Sequence, residues 1–380
     1  MIMMETKMQR RQFLGLAALT VFGGALAANE LLDQAQPKLM PKLYSANDNS
    51  LGEHFFSQFD LSSRTLRQQK IPMRGHAALA LDECSALLFG RRPAYTCVRV
   101  DFSTGLVESF KSKPNRHFNG HGCLSADRKL LFTTETDYEH KRGMIGVRDL
   151  QTLRPIAEYE SYGLDPHDLQ LMPDGNTLVV ANGGIETHPD FERRKLNIDT
   201  MQPSLVYIEL ATGKKLAEYR LADHLLSIRH LHVSAAGQVA VALQYEGNLY
   251  KQQPSSLVAW QPAGGELQLL KIAPNQIAQL RGYLADIVYD PQQELLVAAT
   301  PRGHCVSIWS TATQSFIQAL PLAEASGVSL GSKAGSFLVS NSQGGLYQLQ
   351  TATAQANLTE LKLFPELIWD NHLSKLGYHF

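Results

Sequence analysis

Four cysteines in 380 residues, none in a CxxC or CxxCH spacing, exclude a zinc knuckle, a thioredoxin-type pair and c-type haem attachment. GxSxG, HExxH, a P-loop and a GxGxxG behind a strand are also missing, so none of the common hydrolase, metalloprotease or nucleotide signatures is written here. Charge of one sign is missing too: 35 basic residues stand against 36 acidic ones, a formal charge of -1 without a long single-sign run. That leaves no footprint for nucleic acid. No apolar run reaches the roughly 20 residues of a spanning helix, so an integral membrane protein is not expected. What remains is 44% apolar and 19% charged, an ordinary globular balance that can bury a sizeable core. Among the cysteines, Cys84 and Cys97 are the pair a hairpin would bring together in an oxidising compartment; their spacing does not decide it.

The N-terminus reads as an address. Gln9-Arg10-Arg11-Gln12-Phe13-Leu14-Gly15 precedes an apolar stretch from Leu16 to Ala28, and Ala25-Leu26-Ala27 supplies a small-x-small cleavage pattern. Residues 1–27 are thus predicted to be a twin-arginine signal peptide, 28–41 a linker and 42–380 one exported periplasmic domain. The twin-arginine route carries folded cargo, often with a cofactor or metal inserted beforehand, which favours a bound group.

A repeat runs through that domain. A polar or Gly-rich turn, a His or small residue, apolar alternation, an Asp/Gly turn and a β-branched run recur from Arg74, Asn119, Pro166 and Arg229, and more weakly near Leu284 and Gly327. His76 to His121 is 45 positions, His121 to His167 is 46, and His230 to Gly327 is 97, or two units. Such a period fits a four-stranded propeller blade. The step of 63 from His167 to His230 carries one long polar loop between Gly183 and Pro203. Leu367 to Leu373 reads as a seventh first strand with nothing after it, while Leu43-Tyr44-Ser45 and Phe55 to Leu61 read as later strands lacking a first. Joining the two ends predicts an all-β, seven-bladed propeller without open sheet edges.

In such a ring the first strands line a central channel, and their starting ends converge. His76, His121, His167, His230 and His372 occupy those positions, and we expect them to be metal ligands at the channel mouth. Neutral imidazole suits iron, copper, zinc or nickel, and carboxylates can orient it from behind. His117, Glu135, Glu186, His188, Asp190 and His304 are expected on the same rim, with His54 and Arg91-Arg92 in neighbouring loops. Arg74, Arg116, Arg229 and Arg302, with Arg281 beside them, offer guanidinium forks for an anion. A propeller histidine can also simply bond a neighbouring blade, and an arginine can bridge blades. Cys123, two residues from His121, is either a thiolate or a small core residue. Asp165-Pro166-His167-Asp168 pairs imidazole with carboxylates but shows no nucleophile.

The segments Arg116 to Gly122, Pro166 to Leu169, Ala181 to Asp190, Leu196 to Leu205 and Ser227 to Leu231 resemble the domain of unknown function family 1513, over essentially the whole mature chain. The resemblance implies twin-arginine-exported propellers encoded beside imelysin-like and di-haem periplasmic proteins in iron-acquisition loci. It implies a periplasmic, iron-related setting with those proteins as the expected partners, and leaves reaction and substrate open. Combined with the imidazole donors, that setting makes iron or copper the expected metal. Leu284-Ala285-Asp286 carries no channel histidine, so a complete ring of imidazoles is not expected.

Overall fold

In the six continuous sheets of the domain the inner strand is mostly buried, and the outer strand is markedly more exposed. In the first complete repeat, Gly75–Ala80 is buried throughout while Leu106–Lys111 is mostly exposed. Blades stacked face to face bury their inner strands twice, which is why these read as short apolar runs rather than alternating ones. The computed structural model describes residues 42–191, 194–351 and 355–376. The predicted twin-arginine signal and linker lie outside the described residues.

Seven sheets form a β-propeller. Blades 1 to 6 begin with the inner strands Gly75–Ala80, Arg116–Leu124, Pro166–Leu171, Leu226–Val233, Asp286–Asp290 and Ala325–Leu330, each followed by three antiparallel strands. Blade 7 is composite. Leu367–Trp369 and Ser374–Lys375 both pair with Lys42–Asn49, which leads through His54–Asp60 to Thr65–Lys70. The register Asn47↔Trp369 and Tyr44↔Ser374 fastens the ends, and Ser45 Oγ donates to the His372 carbonyl at 2.7 Å. Ring closure therefore sets the position of His372, which lies in the break between the two C-terminal pieces.

The face carrying the first and third hairpins of the blades is built from one repeated device. Asp82, Asp174 and Asp290 at first hairpins, and Asp60 and Asp101 at third hairpins, each accept the backbone N–H groups two and three residues on. Such Asx turns satisfy the turn backbone with a single short side chain. The opposite face carries long connections such as 183–203 and 246–257, and there the inner strands of five continuous blades shift their pairing.

Candidate metal centre

The loss of regularity falls on the histidines. Pairing of the inner strand with its neighbour shifts between Gly75 and Ala78, Phe118 and Gly122, Pro166 and Asp168, and Ile228 and His230. These shifts contain or adjoin His76, His121, His167 and His230. A bulge bends the strand and re-aims a side chain, and here it turns each imidazole off the blade face into the channel. The inner strand of blade 5, which has no histidine, pairs regularly from Asp286 to Asp290, whereas that of blade 6, also without one, shifts between Ala325 and Val328, so the bulge is not confined to histidine-bearing strands. At Asn119-Gly120-His121 the crowding fixes the residue: Gly120 sits at φ +108°, and a Cβ there would stand 2.5 Å from His76 Cδ2. Only glycine combines that φ with so close an approach.

Five imidazoles consequently meet at one level, all of them buried. Nine of their ten pairs of ring centroids lie between 4.6 Å, for His76 and His372, and 6.3 Å, for His76 and His230. Two groups, His76/His121/His372 and His121/His167/His230, bring candidate ligand nitrogens within 4.8 Å of one another, and His121 belongs to both. His121 Nε2 and His372 Nε2 are 3.1 Å apart. Two nitrogens about 2.0–2.1 Å from a common tetrahedral ion stand about 3.3 Å apart, so this separation is already that of co-ligands.

Carboxylates orient two of the rings. His76 Nδ1 donates to Asp370 Oδ1 at 3.0 Å, and His372 Nδ1 lies 3.3 Å from Asp286 Oδ1. Each partner fixes the proton on Nδ1 and leaves the Nε2 lone pair facing the cluster, the usual support of a metal-bound histidine. Burial would raise the Asp370 carboxyl, but His76 and Arg91 outweigh it and hold the group well below the usual carboxylate range. The other rings lack such support: among the described residues, His167 Nδ1 and both nitrogens of His230 have no hydrogen-bond partner. A buried polar atom left unsatisfied costs about 1–3 kcal/mol.

Burial also decides the charge of the cluster. It lowers His76 to about 3 and holds His121, His167 and His230 well below the ordinary imidazole value. His372 moves the other way, because Asp286, Asp168 and Asp370 outweigh burial. Burial raises Asp168 to about 7. The four neutral imidazoles facing one point can hold a metal ion, and His372, whose proton its carboxylates hold more firmly, must release that proton to join them.

The cluster forms a septum between two cavities. Below it the channel, about 780 Å³, takes in His121, His372, Asp168, Asp286 and His232. Above it a cavity of about 230 Å³ takes in His76 and His167.

With that geometry in place, the kinship of the chain is clear. It belongs to the family described as protein of unknown function (DUF1513), whose pattern matches residues 69–376. No curated protein matches the chain. Among solved structures it is similar to a chain of Kuenenia stuttgartiensis hydrazine synthase, at 14% identity and a TM-score of 0.60, over 84% of this chain and 98% of that one. At that identity the likeness shows the propeller fold alone. This DUF1513 member thus has a family and a fold, and its chemistry has to be read from its own side chains.

Several expected rim residues face the mouth and several do not. His117 and His188 line the upper cavity, as do Arg229 and Arg302. His117, Tyr138 and His188 follow one another as ring contacts at 6.1 and 5.3 Å. Glu186 pairs with Lys141 at 2.9 Å, and Asp190 is exposed beside His188 at 3.5 Å. His54 sits on Asp48 at 2.7 Å. Arg74 bridges Asp48 and Asp370 behind the cavity. Glu135 is away from the rim: its strand runs on to Asp137, and its side chain is buried beside Arg148, whose guanidinium lies over Phe110 and Phe118. Arg116 turns outward to Glu158 at 2.6 Å, and His304, at φ +51°, accepts the Glu324 N–H of the next blade connection. Arg281 is exposed at φ +52°. The cysteines, Cys84 and Cys97 included, are free thiols. Cys123 is packed in the core with Phe132 and Ile145, and burial raises its thiol. Among the described residues no helix is long and apolar enough to cross a membrane.

Asp370 and Asp286 were not singled out from the sequence as site residues, whereas Arg91 was expected with Arg92 in a mouth-side loop. Asp286 aligns with Asp168 in the repeat, and both accept a backbone N–H from the next inner strand, Val328 and Leu231 respectively. That alignment was the available signal.

Proposed function

We propose that the protein is a periplasmic metal-binding propeller that holds a first-row transition metal, iron or copper, in its five-histidine septum and serves iron uptake as an accessory. One observation carries the proposal: five buried imidazoles converge, and two overlapping sets of three bring their nitrogens within 4.8 Å. The donor set is nitrogen alone, with carboxylates standing behind two of the rings rather than among the ligand groups. Imidazole suits copper and iron alike, and by the general affinity order copper binds more tightly. Iron loading would then depend on supply before export, which the twin-arginine motif at Arg10-Arg11 would permit. Imelysin-like or di-haem periplasmic proteins are the proposed partners. The upper cavity, beside His76 and His167, favours a second reading in which a metal-dependent redox enzyme uses the same centre. Exposed Leu51, Tyr95, Phe191 and Tyr250 on the mouth-side loops favour a protein-binding platform as a third.

Elemental analysis of protein exported by its own signal and purified without a histidine tag tests the proposal. Near-stoichiometric iron or copper in the native protein, lost when His121 and His167 are both changed to alanine, is the expected result. Retained stoichiometry in that double variant would refute it.

A further inference from the structure

The upper cavity has a property that holding a metal does not require. Among the described residues five cationic side chains line it, Arg91, Arg92, Lys195, Arg229 and Arg302, and no carboxylate does. The carboxylates stand behind these cations. Asp370 takes Arg91 at 2.6 Å, Asp165 takes Arg229 at 2.8 Å and also Arg92, and Glu246 takes Lys195. Asp370 is further shared with Arg74 and His76. Three acids therefore serve four of the five cations from the far side. Among the described residues Arg302 has no carboxylate within ion-pair distance; its guanidinium rests on the Tyr283 ring at 4.7 Å. Arg229 is buried and its Nε has no partner. The Tyr283 hydroxyl accepts from Asn371 at 2.9 Å and keeps its own proton to donate. Surplus positive charge in a confined, partly desolvated space is costly unless an anion shares it, and guanidinium forks are shaped for the paired oxygens of carboxylate or phosphate.

We infer that this cavity binds a small polyvalent oxyanion, a di- or tricarboxylate or a phosphate, directly over the histidines. At about 230 Å³ it falls below the size of a typical drug-like pocket, so the ligand is a compact anion. Its floor is His76 and His167, one from each three-histidine group, so an oxyanion seated there stands against both candidate metal positions. In that respect the inference rests on the metal reading: the protein would take its metal and an anion together, each raising the affinity for the other by one common factor. The cationic cage stands without the metal.

Calorimetric titration of the exported protein with citrate, and separately with phosphate, in metal-free and metal-loaded forms, tests this. At least one of the two anions is expected to bind the metal-free form, and Arg302→Gln, an exposed substitution at which folding is checked by melting, is expected to weaken it tenfold or more. Arg302→Lys should recover only part of the loss. Tighter citrate assigns carboxylates, and tighter phosphate assigns phosphates. Metal should tighten the anion and the anion should tighten the metal equally. Failure of both anions to bind either form, or undiminished binding to Arg302→Gln, overturns the inference. Arg302-dependent anion binding by a protein that takes up no metal would leave the cavity assignment standing and remove the metal reading instead.

Discussion

The two faces of the ring solve the same problem, ending a strand, in opposite ways. On one face Asp82, Asp174 and Asp290 close hairpins by accepting their own backbone, and the turns are short and internally satisfied. On the other, the inner strands bulge at or beside their histidines, and buried nitrogens of His167 and His230 are left without partners. Regular turns close one face, while at the histidines inner-strand bulges coincide with unmet hydrogen bonds; pairing shifts elsewhere, as at Val147/Arg148 and Ile308/Trp309, come without such a cluster of orphaned nitrogens. Real folds depart from local consistency mainly at functional sites.

Substitutions on either face should separate these roles. The largest effect is expected at Gly120, where alanine meets both the unfavourable φ and the His76 ring. Gly120→Ala should cost about 1–3 kcal/mol in denaturant unfolding and also displace His76, so that metal uptake falls with stability. Asp290→Ala removes acceptors for Gln292 and Gln293 and strands the Gly335 N–H, which Asp290 Oδ2 accepts at 2.6 Å. About 1–3 kcal/mol should be lost while metal stoichiometry stays unchanged; a matching loss of metal would erase the distinction between the faces. Asp370→Asn should act chiefly on the metal side, weakening metal affinity about 10–100-fold, as loss of a ligand-orienting carboxylate does, with some stability lost because Arg91 forfeits its buried counter-charge.

Acid should act on the metal-free protein from the histidine side. Unfolded imidazoles take protons below about pH 6.5, whereas His76, lowered to about 3, and His121, His167 and His230, held well below 6.5, do not. The unfolded chain then binds more protons, so stability is lost as pH falls from about 6.5 toward the folded values. His372, moved the other way by its carboxylates, offsets part of this. His230→Gln should flatten the acid limb of a stability–pH curve, and an unchanged limb would show that His230 is already protonated in the fold.

How much of this could be read from the chain follows from what each feature depends on. Spacings near 45 to 48 residues carried the blades and five inner-strand histidines, because each blade is a local unit that repeats. Complementary fragments at the two ends carried the closure for the same reason. Glu135 and Arg116 were misplaced because facing within a blade turns on one residue of register, and the bulges alter register at those strands. Asp370 escaped notice because its partner His76 is 294 positions away and meets it only when the ring closes. The surplus of arginine over carboxylate above the histidines is likewise a property of loops from different blades brought together, and composition, balanced at 35 against 36, conceals it.

X-ray absorption spectroscopy at the metal edge of the natively exported, untagged protein addresses the central claim most directly. The account predicts a nitrogen-rich first shell with imidazole outer-shell scattering from at least three histidines, no sulfur, and its loss in the His121→Ala, His167→Ala double variant. A shell made only of oxygens, or one containing sulfur, would contradict it.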